Sequence, residues 1–171
     1  MTDNGIEARV LAEIDALGVA YETIRIDPDL ADTASFCAHY GYALEDSVNC
    51  IVVASRDDPP LLAACLNLAT TKLDVNKRVR KLLGVRKLSF ASADLTRDAT
   101  GMLIGGVTPF GLPRDQPGGP DPLRLYVDAR VVERPRVIVG GGSRSLKVLV
   151  DSAAFHRLDR AEIVEDLAID A

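Results

Sequence analysis

Two apolar runs set almost back to back constrain this chain more than any other feature. Residues 50–54 read Cys-Ile-Val-Val-Ala, and residues 61–68 read Leu-Leu-Ala-Ala-Cys-Leu-Asn-Leu. Neither run alternates polar with apolar residues, so each predicts a strand in the middle of a sheet. Arg56-Asp57-Asp58-Pro59-Pro60 stands between them, and two prolines cannot continue a strand ladder. The pair therefore predicts a hairpin in the core.

The flanking segments predict a mixture of helices and strands. Ile6, Val10, Leu11, Ile14 and Leu17 recur at helical spacing, and Gly18 supplies a stop. Residues 21–26 alternate as a strand does, and Asp27-Pro28-Asp29 predicts a turn. A short helix is predicted over 33–40, capped by Asp32 or Thr33 and ended by Gly41. Asp74 is placed to cap a helix over 74–83, with Gly84 beyond it. Further strands are predicted at 85–90, 123–128, 136–139 and 145–150, and short helices at 93–99 and from Asp151 or Ser152 to about 158. Residues 101–120 are rich in Gly and Pro and predict a long loop, a kind of segment that often carries function. Helices and strands interleave irregularly over residues 1–171. The pattern predicts one α+β (mixed α/β) domain rather than a regular doubly wound sheet.

Composition excludes several classes. The chain is 47% hydrophobic and 26% charged, which is ordinary for a globular protein and excludes a disordered or fibrous one. The formal net charge of -5 argues against a protein that coats DNA or RNA nonspecifically over long surfaces. No run approaches the roughly 18–20 apolar residues of a membrane span, and the N-terminus lacks signal-peptide character, so a cytoplasmic protein is expected. Cys37, Cys50 and Cys65 form no metal-binding spacing, and Cys50 and Cys65 sit among apolar residues as structural thiols do. His39 and His156 are far apart, with no Cys or His at ligand spacing.

Three stretches are candidates for chemistry. Gly105-Gly106-Val107-Thr108-Pro109-Phe110-Gly111 allows an unusual, rigid backbone path whose N–H groups could hold a carbonyl oxygen or a phosphate. It also fits a plain surface turn. Gly140-Gly141-Gly142-Ser143-Arg144 could cradle a ligand between two strands, or could be a glycine-rich hairpin turn. Residues 72–87 hold seven cations (Lys72, Lys77, Arg78, Arg80, Lys81, Arg86, Lys87) and one acid, Asp74. Such a face can neutralise nucleic-acid phosphates, or can simply be solvated.

The order of these pieces resembles the YbaK / aminoacyl-tRNA editing-domain family, which includes the insertion domain of bacterial prolyl-tRNA synthetase and its free-standing relatives. The resemblance is carried by residues 64–77, 83–88, 99–111, Val127-Asp128 and 140–150, and spans about 20–160. Its sharpest motif is the family's GxxxP loop, here Gly105-Gly106-Val107-Thr108-Pro109. The resemblance implies a barrel-like mixed sheet flanked by helices, and hydrolysis of the ester between a wrong amino acid and the terminal adenosine of tRNA, without metal or organic cofactor. The implied partners are the aminoacyl-tRNA acceptor end and a synthetase, with no DNA or membrane. The GxxxP loop would orient the ester, and catalysis would lean on the ribose hydroxyl and a positioned water.

One departure stands out. Family members carry a Lys before the first core strand, and the matching residue here is Asn49. An amide offers only neutral hydrogen bonds, roughly half as strong as charge-assisted ones. Lys147, on the strand after the glycine loop, could return an amine to the same cavity, or could be an exposed strand lysine. The expectation is thus a deacylase with Asn49 and the Gly105-to-Pro109 loop as its catalytic residues. Gly142, Ser143, Arg144 and Lys147 would bind substrate, and Lys72, Lys77, Arg78 and Lys81 would bind tRNA. A catalytically weak or silent member that binds aminoacyl-nucleotide or a synthetase is the alternative, and a hydrolase of another small acyl ester is a third reading.

Overall fold

The predicted hairpin is the centre of the molecule. The computed structural model describes residues 2–114 and 123–171, so the predicted loop residues 115–120 lie outside it. Strand β2, Val48–Ser55, pairs antiparallel with β3, Leu62–Leu68. Every residue of β3 is buried. Its alternation divides two apolar clusters: Leu62, Ala64, Leu66 and Leu68 face one, and Ala63 and Cys65 face the other. That is why the run reads as continuously apolar.

Around the hairpin lie β5 (Leu88–Phe90), β6 (Arg124–Asp128) and β9 (Ala161–Val164), in the order β5-β2-β3-β6-β9. β3, β6 and β9 run parallel, so the sheet is mixed. A second sheet has the order β1-β8-β7, from Tyr21–Arg25, Leu146–Asp151 and Arg136–Gly140. A bridge from Ser47, just ahead of β2, to Ile138 on β7 joins the two sheets. A two-stranded ribbon pairs β4, Thr71–Leu73, with β10, Ala168–Asp170. Among the described residues the sheets do not close on one another, so the barrel-like sheet of the expectation is corrected to an open, mixed arrangement.

The helices start and stop where local chemistry dictates. α1, Asp3–Leu17, sets Ile6, Val10 and Ile14 into the core and ends at Gly18 in the left-handed region (φ 69°). α2, Thr33–Tyr40, is capped by the Asp32 carboxylate, which accepts from the Ser35 N–H at 3.0 Å. The predicted helix over 74–83 is a π-helical turn, Val75–Val79, running into α3, Arg80–Leu83. Its basic stretch is therefore split: Lys72 lies on β4, and Arg86 and Lys87 lead into β5. α4 is Ala93–Thr100, α5 is Ala129–Glu133, and the last helix, α6, is only Ala154–Arg157. β5 begins later than predicted because Gly84, just past α3, turns the chain before it can extend. Asp128 ends β6 and caps α5 in one step: Oδ1 accepts from the Arg130 N–H at 2.9 Å, and Oδ2 from the Ala168 N–H at 2.8 Å.

Leu66 is fully buried in the central strand. Leu66→Ala is expected to lower unfolding stability by about 2–5 kcal/mol, read as a shifted urea midpoint with an unchanged slope.

Candidate active site

Two glycine loops meet backbone to backbone. The first follows α4 and passes through Gly105 at φ 97°. The second is the Gly140-Gly141-Gly142 turn between β7 and β8. A Cβ on Gly106 would lie 2.6 Å from the carbonyl carbon of Ser143, and one on Gly140 would lie 2.6 Å from the Val107 carbonyl oxygen. Neither approach is open to a residue with a side chain. The Gly142 N–H donates to the Gly106 carbonyl at 2.9 Å and closes the contact.

Two side-chain clamps hold this junction. Glu7, on α1, is 5% exposed and accepts from Ser143 Oγ at 2.6 Å. The same carboxylate receives both Arg25 nitrogens, at 2.9 and 2.7 Å. The Arg25 hydrogen bonds hold the Glu7 carboxyl below its ordinary value; burial opposes them, and Ser143 and the Arg25 charge assist. Arg144 forms the second clamp, donating to the Ile104 carbonyl at 2.5 Å and the Pro28 carbonyl at 2.9 Å. It ties the Gly105 loop to the turn ahead of α2.

A cavity of about 480 Å³ opens between the first glycine loop, α2 and β2. Asn49, Gly105, Val107, Arg144 and Lys147 all line it. Asn49 Oδ1 accepts from the Thr33 hydroxyl at 2.7 Å. Lys147 is 7% exposed, not the exposed strand lysine its sequence setting also allowed. Its Nζ donates to the Ala31 carbonyl at 2.8 Å and the Gly105 carbonyl at 3.1 Å, and lies 5.6 Å from the centroid of the Phe36 ring. Burial pushes its ammonium down to about 8; the Arg144 charge adds to this, and Cys37 and Asp32 act against it. An ammonium has three N–H donors, so one remains beyond the two carbonyls.

The cavity holds no activated thiol. Burial pushes the Cys50 thiol up to about 12, and it raises Cys65 as well. Asp32 is the acid in the lining. Its cap bonds to Ser35 keep its carboxyl below the ordinary value, so it is ionised at neutral pH.

Gly106, Thr108, Pro109, Gly142 and Ser143 do not line the cavity. Gly106, Gly142 and Ser143 belong instead to the junction of the two loops, where Ser143 is committed to Glu7. Lys72, Lys77 and Lys81 are exposed and also lie outside it, and Arg78 Nε donates to the Glu165 carbonyl at 3.1 Å. Sequence reasoning passed over Thr33, which orients Asn49, and two exposed apolar residues of the lining, Phe90 at 57% and Ile104 at 55%. A large apolar residue at the end of a short strand was the sole signal for Phe90.

These features define a mixed α+β domain whose cavity is lined by apolar side chains, by Gly105 and Gly140 of the two loops, and by one buried amine. The model of the aminoacyl-tRNA editing domain matches residues 27–158, and the chain belongs to that family. Solved structures share its fold. One, described as a "putative trans-editing enzyme for prolyl tRNA synthetase", is 19% identical with a TM-score of 0.75, the match covering 96% of this chain and 97% of that one. A hypothetical protein is 22% identical with a TM-score of 0.75, over 91% of this chain and 97% of its own. A "putative signal transduction protein" from Marinobacter aquaeolei is 19% identical with a TM-score of 0.57, over 95% of this chain but 31% of its own, so there the fold is part of a longer chain. Among the described residues, no helix is long and apolar enough to cross a membrane.

Two predictions test the junction. Gly106→Ala drives a methyl against the Ser143 backbone and is expected to cost about 1–3 kcal/mol in denaturant unfolding. Glu7 has a folded value below its ordinary 4.5, so it stabilises the fold above that pH and ceases to as pH falls through the folded value. Glu7→Gln should lower stability at neutral pH, and its acid unfolding curve should be flatter than the parent's.

Proposed function

We propose that this chain is a trans-editing hydrolase that deacylates mischarged aminoacyl-tRNA at the 3′ end. Its family membership supports editing in general, and its likeness to the trans-editing structure supports the fold that such work needs. The observation that carries the catalytic reading is Lys147: a buried ammonium bonded to the Gly105 carbonyl, in the cavity that Asn49 also lines.

In this reading the terminal aminoacyl-adenosine enters the cavity with its ester carbonyl against the Gly105 loop. A water oxygen attacks the carbonyl carbon, and negative charge develops on the carbonyl oxygen. Donors already fixed in place stabilise that charge at no cost in reorganisation. Lys147 contributes by holding the Gly105 peptide and by its remaining N–H, while Asn49, held by Thr33, supplies a neutral donor. The bond from carbonyl carbon to ribose oxygen then breaks. The ribose oxygen leaves with the proton given up by the water, relayed through the neighbouring ribose hydroxyl. Free amino acid and intact tRNA are the products. The ammonium thus takes from β8 the charge that a lysine in place of Asn49 would bring from β2. The substrate places the activity in the cytoplasm, with the acceptor end, and through it a synthetase, as partners.

The test is a deacylation screen over mischarged tRNAs, with variants assayed on the substrate that responds. Lys147→Met should lower kcat/KM by about 10²–10³-fold, the cost of one oxyanion donor. The ammonium is full below about pH 8 and lost above it, so the enzymatic rate over background should fall through that pH and lose this feature in Lys147→Met. An unchanged Lys147→Ala beside an inactive Asn49→Ala would overturn the lysine's role. Retained tRNA binding with no ester hydrolysed would instead identify a silent binding module.

A further inference from the structure

The basic stretch of the sequence does not act as one helix face. Its members separate, and Arg80, Arg86 and Lys87 come together with Arg56 around a second concavity of about 320 Å³. Asn76 and Leu88 complete the lining, which contains no acid. Arg56 arrives there from another part of the chain because Ser55 pairs with Leu88 in the β2–β5 ladder. Asp57 and Asp58 follow Arg56 in its turn but do not line the groove. Arg80 spends two donors on the Asn76 and Arg86 carbonyls, at 2.8 and 3.4 Å, and so braces the turn that presents Arg86 and Lys87.

Among the described residues, no ion pair neutralises these cations. The ion pairs there use Arg25, Arg97, Arg114, Arg130, Arg134 and Arg160. None involves a groove cation. In a chain of net charge -5, four unpaired cations around one hollow call for an anion from outside.

β5 links this groove to the cavity. Leu88 lines the groove and Phe90 lines the cavity. The side chain of Leu88 packs into the second apolar cluster, whereas Phe90 is exposed, and the two residues stand about 7 Å apart along the strand, so the two sites are neighbours along β5. β5 is the edge strand of its sheet. At the cavity end, Phe90 and Ile104 are more than half exposed, an unusual state for large apolar side chains that line a hollow. Aromatic rings followed by cations along one track are how proteins hold single-stranded nucleic acid: bases stack, phosphates pair.

We infer that the exposed edge along β5 is a binding track for single-stranded RNA, with the Arg56–Arg80–Arg86–Lys87 groove taking backbone phosphates and Phe90 stacking the base at the cavity mouth. This rests on the reading that the cavity receives an RNA 3′ end, and it assigns the strand leading there to residues other than Lys72, Lys77, Arg78 and Lys81. The phosphates are held as point charges without base readout, so binding tolerates sequence and responds strongly to salt.

The probe is a fluorescent single-stranded RNA tetranucleotide ending in a 3′ adenosine, titrated with the full chain by anisotropy from 50 to 300 mM salt. At roughly 0.7 per phosphate for single strands, three contacts predict a log–log slope near -2. The double variant Arg86→Ala/Lys87→Ala should weaken binding at least about tenfold and reduce the slope by about 1.4. Phe90→Ala should weaken binding at least about fivefold at an unchanged slope, since it removes stacking and no charge. Arg136→Ala removes one exposed cation from β7 and should leave affinity unchanged. A slope near zero, or equal losses in Arg136→Ala and the groove variants, would overturn the track. The hydrolytic reading fails separately: RNA bound with these slopes by a chain that deacylates nothing keeps the track and removes the enzyme, and deacylation untouched by the groove and Phe90 variants does the reverse.

Discussion

Direct contact between two backbones is the constraint on which the rest of the site depends. The Gly105-Gly106-Val107 segment and the Gly140-to-Ser143 turn approach to distances that exclude side chains on both. Van der Waals contact this close gives a wall of peptide groups with little room to move. The arrangement would nevertheless be free to slide without its lateral ties. Glu7 supplies one, fixing the turn to α1 through Ser143 while Arg25 balances its charge. Arg144 supplies the other, fixing the first loop to the turn before α2. A cavity bounded by such a wall keeps its donors in place before a ligand arrives, and pre-organisation of that kind is what electrostatic stabilisation of a transition state requires.

The buried lysine follows from the same geometry. Lys147 sits one residue after Leu146, whose side chain packs under Gly141 and whose carbonyl accepts the Gly141 N–H at 2.8 Å. The turn therefore sets where the lysine emerges, and the Ala31 and Gly105 carbonyls hold its head. Burying an ammonium is costly without such acceptors. Here it has two carbonyls and an aromatic face, and it still titrates lower than a free lysine. Holding the ion there comes at some expense to stability, which is the cost that the role proposed for Lys147 would explain.

Much of the fold was legible in the sequence because its determinants are local. Gly18, Gly41, Gly84 and Gly101 each end a helix in the left-handed region, and Asp32 and Asp74 each cap one. The Pro59-Pro60 break marked the central hairpin. What escaped was short or was decided by distant partners. β4, β9 and β10 have three or four residues each, and α5 has five, too few to display a period. Alternation along β8 placed Leu146, Val148 and Val150 on one face and left the lysine facing outward. α2, whose Phe36 packs beside the lysine, and the neighbouring Ile26, Ala31 and Ile138 make that second face an interior. The basic stretch misled in the opposite sense. Proximity in sequence suggested one surface, whereas Gly84 turns the chain and strand pairing regroups its C-terminal half with Arg56.

That regrouping explains how an acidic protein can recognise an anion locally. The chain carries +6 over residues 72–87 and therefore -11 elsewhere, since the total is -5. Screening at physiological ionic strength confines exposed charges to about 8 Å, so the remote acids weaken the groove little. They act mainly by repelling polyanions from the rest of the surface. The groove is thus a local concentration of positive charge on an acidic chain, and β5 runs from it to the cavity. In the proposed track, charge asymmetry would orient the encounter, and the cavity would hold the end of the strand.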